Sequence, residues 1–228
     1  MIGLNSTNSI LDMIDPKVNR INPPNYGWLE YKLSDVEFSY VLDCISNKRK
    51  SYKKNLAGNI TSSSLLEDKD GWFYENTIFP LICKYHEMYG EVVNAPVNNR
   101  HPYTMVSWWV NYQYEHEFNP LHIHNGVFSF VIWVKMPKNL REDNKDPISA
   151  QSNTPRRGIF DFAYTDMLGR IRVFSYMPDQ SKEGLMLLFP AQLNHIVYPY
   201  TTKDERISVS GNIVYNTDLK YIDEPSKE

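Results

Sequence analysis

The feature that most constrains this chain is the punctuation of its second half. From Thr104 to Tyr215 it breaks into seven short segments rich in Val, Ile, Tyr, Phe and Trp, each bounded by turn residues. They run Thr104–Tyr114, Val127–Met136, Gly158–Ala163, Arg170–Tyr176, Leu185–Phe189, Asn194–Pro199 and Arg206–Tyr215. Strands this short and this numerous bury their apolar faces only by closing into a sandwich or barrel. Two helices are predicted ahead of them. Ser34 and Glu37 have the spacing of a capping box, and Val36, Tyr40, Val41, Cys44 and Ile45 follow at helical period, predicting a helix to about Asn55. A second helix is predicted over Trp72–Tyr89, kinked or restarted at Pro80, whose ring disfavours the α conformation at Phe79.

These elements make one mainly β domain over residues 1–228. Residues 1–33, rich in Asn and Pro, read as an arm lying over the domain; residues 34–90 form a helical layer packed outside; residues 104–216 form the strand-rich core. The polar stretch Lys138–Arg157 is too long for an ordinary turn and reads as a lid or a disordered loop, and the tail from Asp218 as frayed. The predicted first helix ends in Lys48, Arg49, Lys50, Lys53 and Lys54. That cationic run complements the negative end of a helix dipole, with phosphate binding as the sharper alternative.

Two cysteines and six histidines exclude a disulfide framework and a cysteine-built zinc site. Any bound metal must be held by histidine. Cys44 and Cys83 lie in apolar stretches and read as small buried hydrophobes. Against 27 acidic residues stand 24 basic ones, a balance that disfavours nucleic-acid packaging and anionic membranes. The longest apolar run, Val127–Val134, is too short to span a bilayer, and the N-terminus lacks the basic region and apolar core of a secretory signal. A cytoplasmic, reducing compartment is expected.

His122 and His124 stand two residues apart, so an extended segment points both side chains the same way with Cα atoms roughly 6–7 Å apart. That suits two neighbouring ligands of one metal. His195, opening a later segment after a Phe-Pro turn, is the candidate third ligand, and three imidazoles leave coordination positions open for substrate and oxygen. His116 sits off this spacing in a predicted loop, and His86 and His101 read as helix or surface residues. Arg206 follows His195 by eleven residues, and strand alternation places it on one face with Ser208. A guanidinium beside a hydroxyl is shaped to grip a carboxylate.

Two blocks, NPLHIHNGVFSFVIWVKMP and FPAQLNHIVYPYTTKDERIS, resemble the Fe(II)- and 2-oxoglutarate-dependent oxygenases, and more closely a subgroup common in phages and marine bacteria that carries His-x-His. The likeness covers roughly residues 104–216. It implies a double-stranded β-helix, or jelly roll, binding Fe(II) through His122, His124 and His195, with His124 in the position where most of the superfamily has Asp or Glu. It implies that Arg206 and Ser208 bind the distal carboxylate of 2-oxoglutarate, with Tyr112 a further candidate for the same carboxylate. The reaction implied is hydroxylation of an unidentified protein, peptide or small-molecule substrate by O2, with release of succinate and CO2. Trp108, Trp109 and Trp133 are candidate shielding walls, or simply core.

Two other readings compete. A cupin-type metalloprotein that does not use 2-oxoglutarate also begins with His-x-His, but places a Glu ligand about where Val127, Phe128 and Ser129 stand. A non-catalytic, virion-associated jelly roll with a structural metal would leave Arg206 and Ser208 idle. Nucleic-acid demethylases of the superfamily carry a second Arg six residues after the first; Asn212 stands there, so a nucleic-acid substrate is disfavoured.

Overall fold

The computed structural model describes residues 25–48, 50–92, 103–138, 140 and 150–216. Ten strands lie among them: β1 (Leu29–Lys32), β2 (Ser62–Leu65), β3 (Tyr103–Gln113), β4 (Asn119–His122), β5 (Phe128–Lys135), β6 (Phe160–Thr165), β7 (Ile171–Tyr176), β8 (Leu185–Pro190), β9 (Asn194–Val197) and β10 (Arg206–Tyr215). The α-helices are α1 (Asp35–Ser46) and α2 (Phe79–Tyr89). A six-stranded sheet has the order β1-β8-β5-β10-β3-β2 and a four-stranded sheet the order β4-β9-β6-β7. Every strand pairing is antiparallel. The architecture is the mainly β jelly roll anticipated above, with strands at all seven anticipated places.

The larger sheet is buried on both faces, and side-chain alternation divides the work. On β10, Val209 and Ile213 join a core cluster with Val41 and Cys44 of α1, Ile82 and Tyr85 of α2, and Trp108, Phe128 and Ile132. Gly211 sits in this face because a Cβ there would lie 2.5 Å from the Phe130 ring. The intervening Ser208, Ser210 and Asn212 line a cavity on the other side. A second cluster, including Trp133, Phe160, Phe162, Leu187 and Phe189, fills the space between the sheets.

The capping box forms as its spacing demands. The Ser34 hydroxyl accepts from the Glu37 N–H, and the Glu37 carboxylate accepts from the Ser34 N–H at 2.8 Å. Glu37 is buried; burial raises its carboxyl pKa, but hydrogen bonds from Ser34, Thr77 and Tyr31 outweigh that and hold it below the usual carboxylate range. Val36, assigned above to the apolar stripe, is 67% exposed, because Glu37 takes the inward position. The helix also stops earlier than its composition suggests. Asn47 caps it, donating through its side chain to the Asp43 carbonyl at 3.0 Å, and the chain leaves through a short 3-10 turn at Lys53–Asn55.

The chain stays helical through Pro80: Phe79 keeps α dihedrals (φ −63°, ψ −44°), so the expected break is absent, and the wider π-type turn over Tyr74–Ile78 that leads into α2 is where the hydrogen-bond ladder adjusts to the N–H that Pro80 lacks. The end of the arm, residues 29–32, is an edge strand on β8; residues 1–24, half of the 138–157 segment (139 and 141–149), His101 and the tail from Asp218 lie outside the described residues. Cys44 is buried as expected, whereas Cys83 is exposed on α2. Among the described residues no helix is long and apolar enough to cross a membrane.

Candidate metal centre and its cavity

The smaller sheet brings the histidines together. His122 ends β4 and His195 lies in β9, and the two are register partners across that antiparallel pair. His124 follows two residues beyond His122, its backbone N–H donating to the Ala191 carbonyl at 2.8 Å, which ties it to the turn before β9. The ring centroids are 4.2 Å apart for His122 and His195, 5.1 Å for His122 and His124, and 5.0 Å for His124 and His195. One ring nitrogen from each lies within 4.8 Å of the others. His116, on a turn with φ of 66°, is not part of this group.

Hydrogen bonding orients the rings. Nδ1 of His122 faces the Pro120 carbonyl at 2.6 Å and Nδ1 of His195 faces the Leu193 carbonyl at 2.9 Å. Each Nδ1 must therefore carry the proton, leaving Nε2 with a lone pair. Nε2 of His195 lies 3.1 Å from Nε2 of His124. Two nitrogens each about 2.1 Å from a shared metal and at right angles about it would be separated by about 3 Å, so the arrangement fits a metal ion. His195 is packed against Phe189 and Phe160, with ring centroids at 5.1 and 5.7 Å.

Burial drives the pKa values down. Desolvation lowers His122; desolvation and then the neighbouring His122 lower His124 to about 4; the same two causes lower His195 well below its ordinary value. Near neutral pH all three are uncharged, the form that binds metal. Between pH 6.5 and about 4 the unfolded chain takes up protons that the folded, metal-free chain refuses. The metal-free protein should therefore lose stability as pH falls below 6.5, by at most about 1.4 kcal/mol per pH unit for each histidine. Urea midpoints at pH 7.5, 6.5 and 5.5 measure this, and His195→Leu should flatten the decline; an equally steep decline in that variant would contradict the assignment.

The triad opens into a cavity of about 280 Å³. Arg206 forms part of its wall, only 2% exposed. Its Nη1 donates to the Gln113 side-chain oxygen at 3.3 Å and its Nη2 to the Gly158 carbonyl, while Nε has no partner. The Tyr200 ring lies 5.3 Å from the guanidinium. Burial lowers the Arg206 pKa to about 10, so it stays cationic at neutral pH, yet among the described residues no carboxylate pairs with it. A buried charge held only by neutral groups is costly to maintain, and the hydrogen-bonding capacity left over points to an anionic ligand.

Ser208 lines the same cavity as Arg206 and the triad; Tyr112 does not. Alternation along β3 turns Trp109, Asn111 and Gln113 to the cavity, while Tyr112 packs on the helix side and accepts a hydrogen bond from Lys48 at 3.0 Å. Asn111 was not anticipated as a site residue. Its side-chain oxygen accepts from Ser63 of β2 at 2.7 Å, which turns its NH2 away from Ser63. Trp109 and Trp133 line the cavity, whereas Trp108 stacks on Phe73 in the other core. Tyr52, Asn55, Leu56, Ala57 and Ile60, from the segment between α1 and β2, complete the wall; no sequence motif marked them.

Comparison with known proteins agrees with this geometry. Residues 107–212 match the family model described as "Putative 2OG-Fe(II) oxygenase". Among solved structures, an oxidoreductase of the 2OG-Fe(II) oxygenase family from Burkholderia pseudomallei is similar with a TM-score of 0.53 and 12% identity, covering 82% of this chain and 85% of that one. HygX from Streptomyces hygroscopicus, solved with nickel, 2-oxoglutarate and hygromycin B bound, is similar with a TM-score of 0.51 and 9% identity, covering 84% of each chain. At these identities the likeness is one of fold. No curated protein matches the sequence.

Proposed function

We propose that this chain, whose residues 107–212 match the model of the Fe(II)- and 2-oxoglutarate-dependent oxygenases, is a hydroxylase holding Fe(II) on His122, His124 and His195 and 2-oxoglutarate against Arg206 and Ser208. The observation that carries this reading is Arg206. A fully buried guanidinium without a carboxylate partner, in one cavity with three neutral histidines, supports a site completed by a small anion and a divalent metal. The cupin reading lacks that support, since Phe128, near where its carboxylate ligand would stand, is buried in the helix-facing core.

When bound, iron and 2-oxoglutarate supply the oxidising chemistry, in which O2 is consumed as the cosubstrate becomes succinate and CO2 and a substrate C–H bond becomes C–OH. The chain's own contribution is placement. Gln113 is fixed between the Glu117 carbonyl and Arg206, so the guanidinium is held before a ligand arrives. Ser208 adds a hydroxyl on the same face of β10. The Nδ1 contacts of His122 and His195 fix which nitrogen faces the metal. Trp109, Phe130, Trp133 and Phe189 wall the cavity and keep bulk water from the reacting groups.

Anaerobic addition of Fe(II) and 2-oxoglutarate should produce the weak visible charge-transfer band of their chelate, and admission of air should yield succinate. A folded, iron-loaded sample that gives neither would overturn the assignment.

A further inference from the structure

The lysine run read above as the end of the first helix has a different place in the structure. Helix α1 ends at Ser46 with no basic residue in its last turn, so these lysines do not serve its dipole. They fall instead in the connection from α1 to β2, the same segment whose Tyr52, Asn55, Leu56 and Ala57 line the cavity. Lys50, Lys53 and Lys54 are exposed, and among the described residues none of them is in an ion pair. Lys48 is engaged with Tyr112. The carboxylate that reaches this segment, Glu117, is buried and accepts from the Thr61 N–H and the Tyr114 N–H at 2.7 and 2.9 Å, leaving the lysines uncompensated.

Size supplies the second argument. A cavity of about 280 Å³ falls just below the range of pockets that enclose one drug-sized ligand, and here the cosubstrate takes part of it. What remains is close to the size of one side chain, which leaves the bulk of any larger substrate outside against the rim. Among the described residues lining the cavity there is no carboxylate, and the amides of Asn55, Asn119 and Asn125 offer donors and acceptors suited to a peptide backbone.

Resting on the hydroxylase reading, we propose that the substrate is an acidic polypeptide: it inserts one side chain toward the triad and lays flanking Asp or Glu residues against Lys50, Lys53 and Lys54. Complementary charge of this kind steers encounter and is screened by salt.

The test uses the full chain loaded with Mn(II) and 2-oxoglutarate. The probes are a fluorescein-labelled, Glu-rich twelve-residue peptide carrying a central photo-crosslinking residue, and its Lys-rich counterpart. Anisotropy should show the acidic peptide alone binding, with affinity falling about tenfold or more in Lys53→Glu/Lys54→Glu and again on raising salt from about 0.05 to 0.3 M. Crosslinks mapped by mass spectrometry should fall on residues that line the cavity or on residues 50–60 beside it. Equal binding of the two peptides, crosslinks elsewhere, or displacement by millimolar inorganic phosphate would overturn the proposal. The charge-transfer band with Fe(II) and 2-oxoglutarate, measured on the same variant, separates this failure from failure of the hydroxylase reading, because the exposed lysines lie outside the metal centre.

Discussion

Arg206→Met is expected to abolish stabilisation by 2-oxoglutarate while leaving metal binding intact. With cosubstrate at a hundred times its dissociation constant, the native protein should gain about 2.7 kcal/mol, which for a chain of this size raises the Tm by about 5–10 °C. The variant should show no shift at the same concentration. The reason is local: Arg206 is the cation buried in that wall, and truncating one member of a buried, hydrogen-bonded charge pair typically costs about 2–5 kcal/mol of affinity. Arg206→Lys should recover only part of the shift, because an ammonium cannot make the paired, planar contacts of a guanidinium. Calorimetric titration with Mn(II) should give near-native affinity for both variants, since no histidine of the triad hydrogen-bonds to Arg206. A variant that loses metal, or that keeps the full cosubstrate shift, would contradict the division of the cavity into two subsites.

The arginine could be read from the sequence because its neighbours alternate cleanly. In Arg206-Ile-Ser-Val-Ser, polar and apolar residues take opposite faces, and the structure keeps that order. The facing strand could not be read the same way. Trp108-Trp109-Val110 puts large apolar residues on both faces of β3, because one face meets the helices and the other the cavity, and a strand buried on both faces carries no phase in its hydrophobicity. The sequence therefore does not distinguish the phase that turns Tyr112 to the cavity from the observed one, in which Asn111 and Gln113 face it.

Three strands escaped the sequence for related reasons. β4 contains Pro120, which signals against a strand but is tolerated at the sheet edge, where β4 lies. β2 is Ser-Ser-Ser-Leu at an edge of the six-stranded sheet; Ser63 is buried by its bond to Asn111, a partner 48 residues away, and not by hydrophobicity. β1 is four residues of mixed polarity whose place depends on β8. The helix that ran too far has the mirror-image cause: lysines favour helix, and nothing local in Lys48–Asn55 reveals that the segment must turn back to wall the cavity.

His124 tests whether three neutral ligands make the metal centre. In the metal-free state its Nε2 is 3.1 Å from Nε2 of His195, and the latter is an acceptor because Nδ1 of His195 donates to Leu193. His124 must then carry its proton on Nε2, and binding a metal through that nitrogen must move the proton to Nδ1, so that the ring remains a neutral ligand. His124→Ala removes a ligand and should weaken Fe(II) binding by about 100-fold or more, beyond the 10–100-fold typical of losing a group that merely supports a ligand. His124→Asp should behave oppositely in its two states. Without metal it places a carboxylate in a cavity wall that desolvates it, beside two neutral imidazoles, and the Tm should fall. With Fe(II) the carboxylate offsets one positive charge of the ion, so metal should raise the Tm by more than it does in the native protein. Unchanged Fe(II) affinity in His124→Ala, measured anaerobically by competition with a chromophoric chelator, would remove His124 from the centre and leave His122 and His195 as its protein ligands.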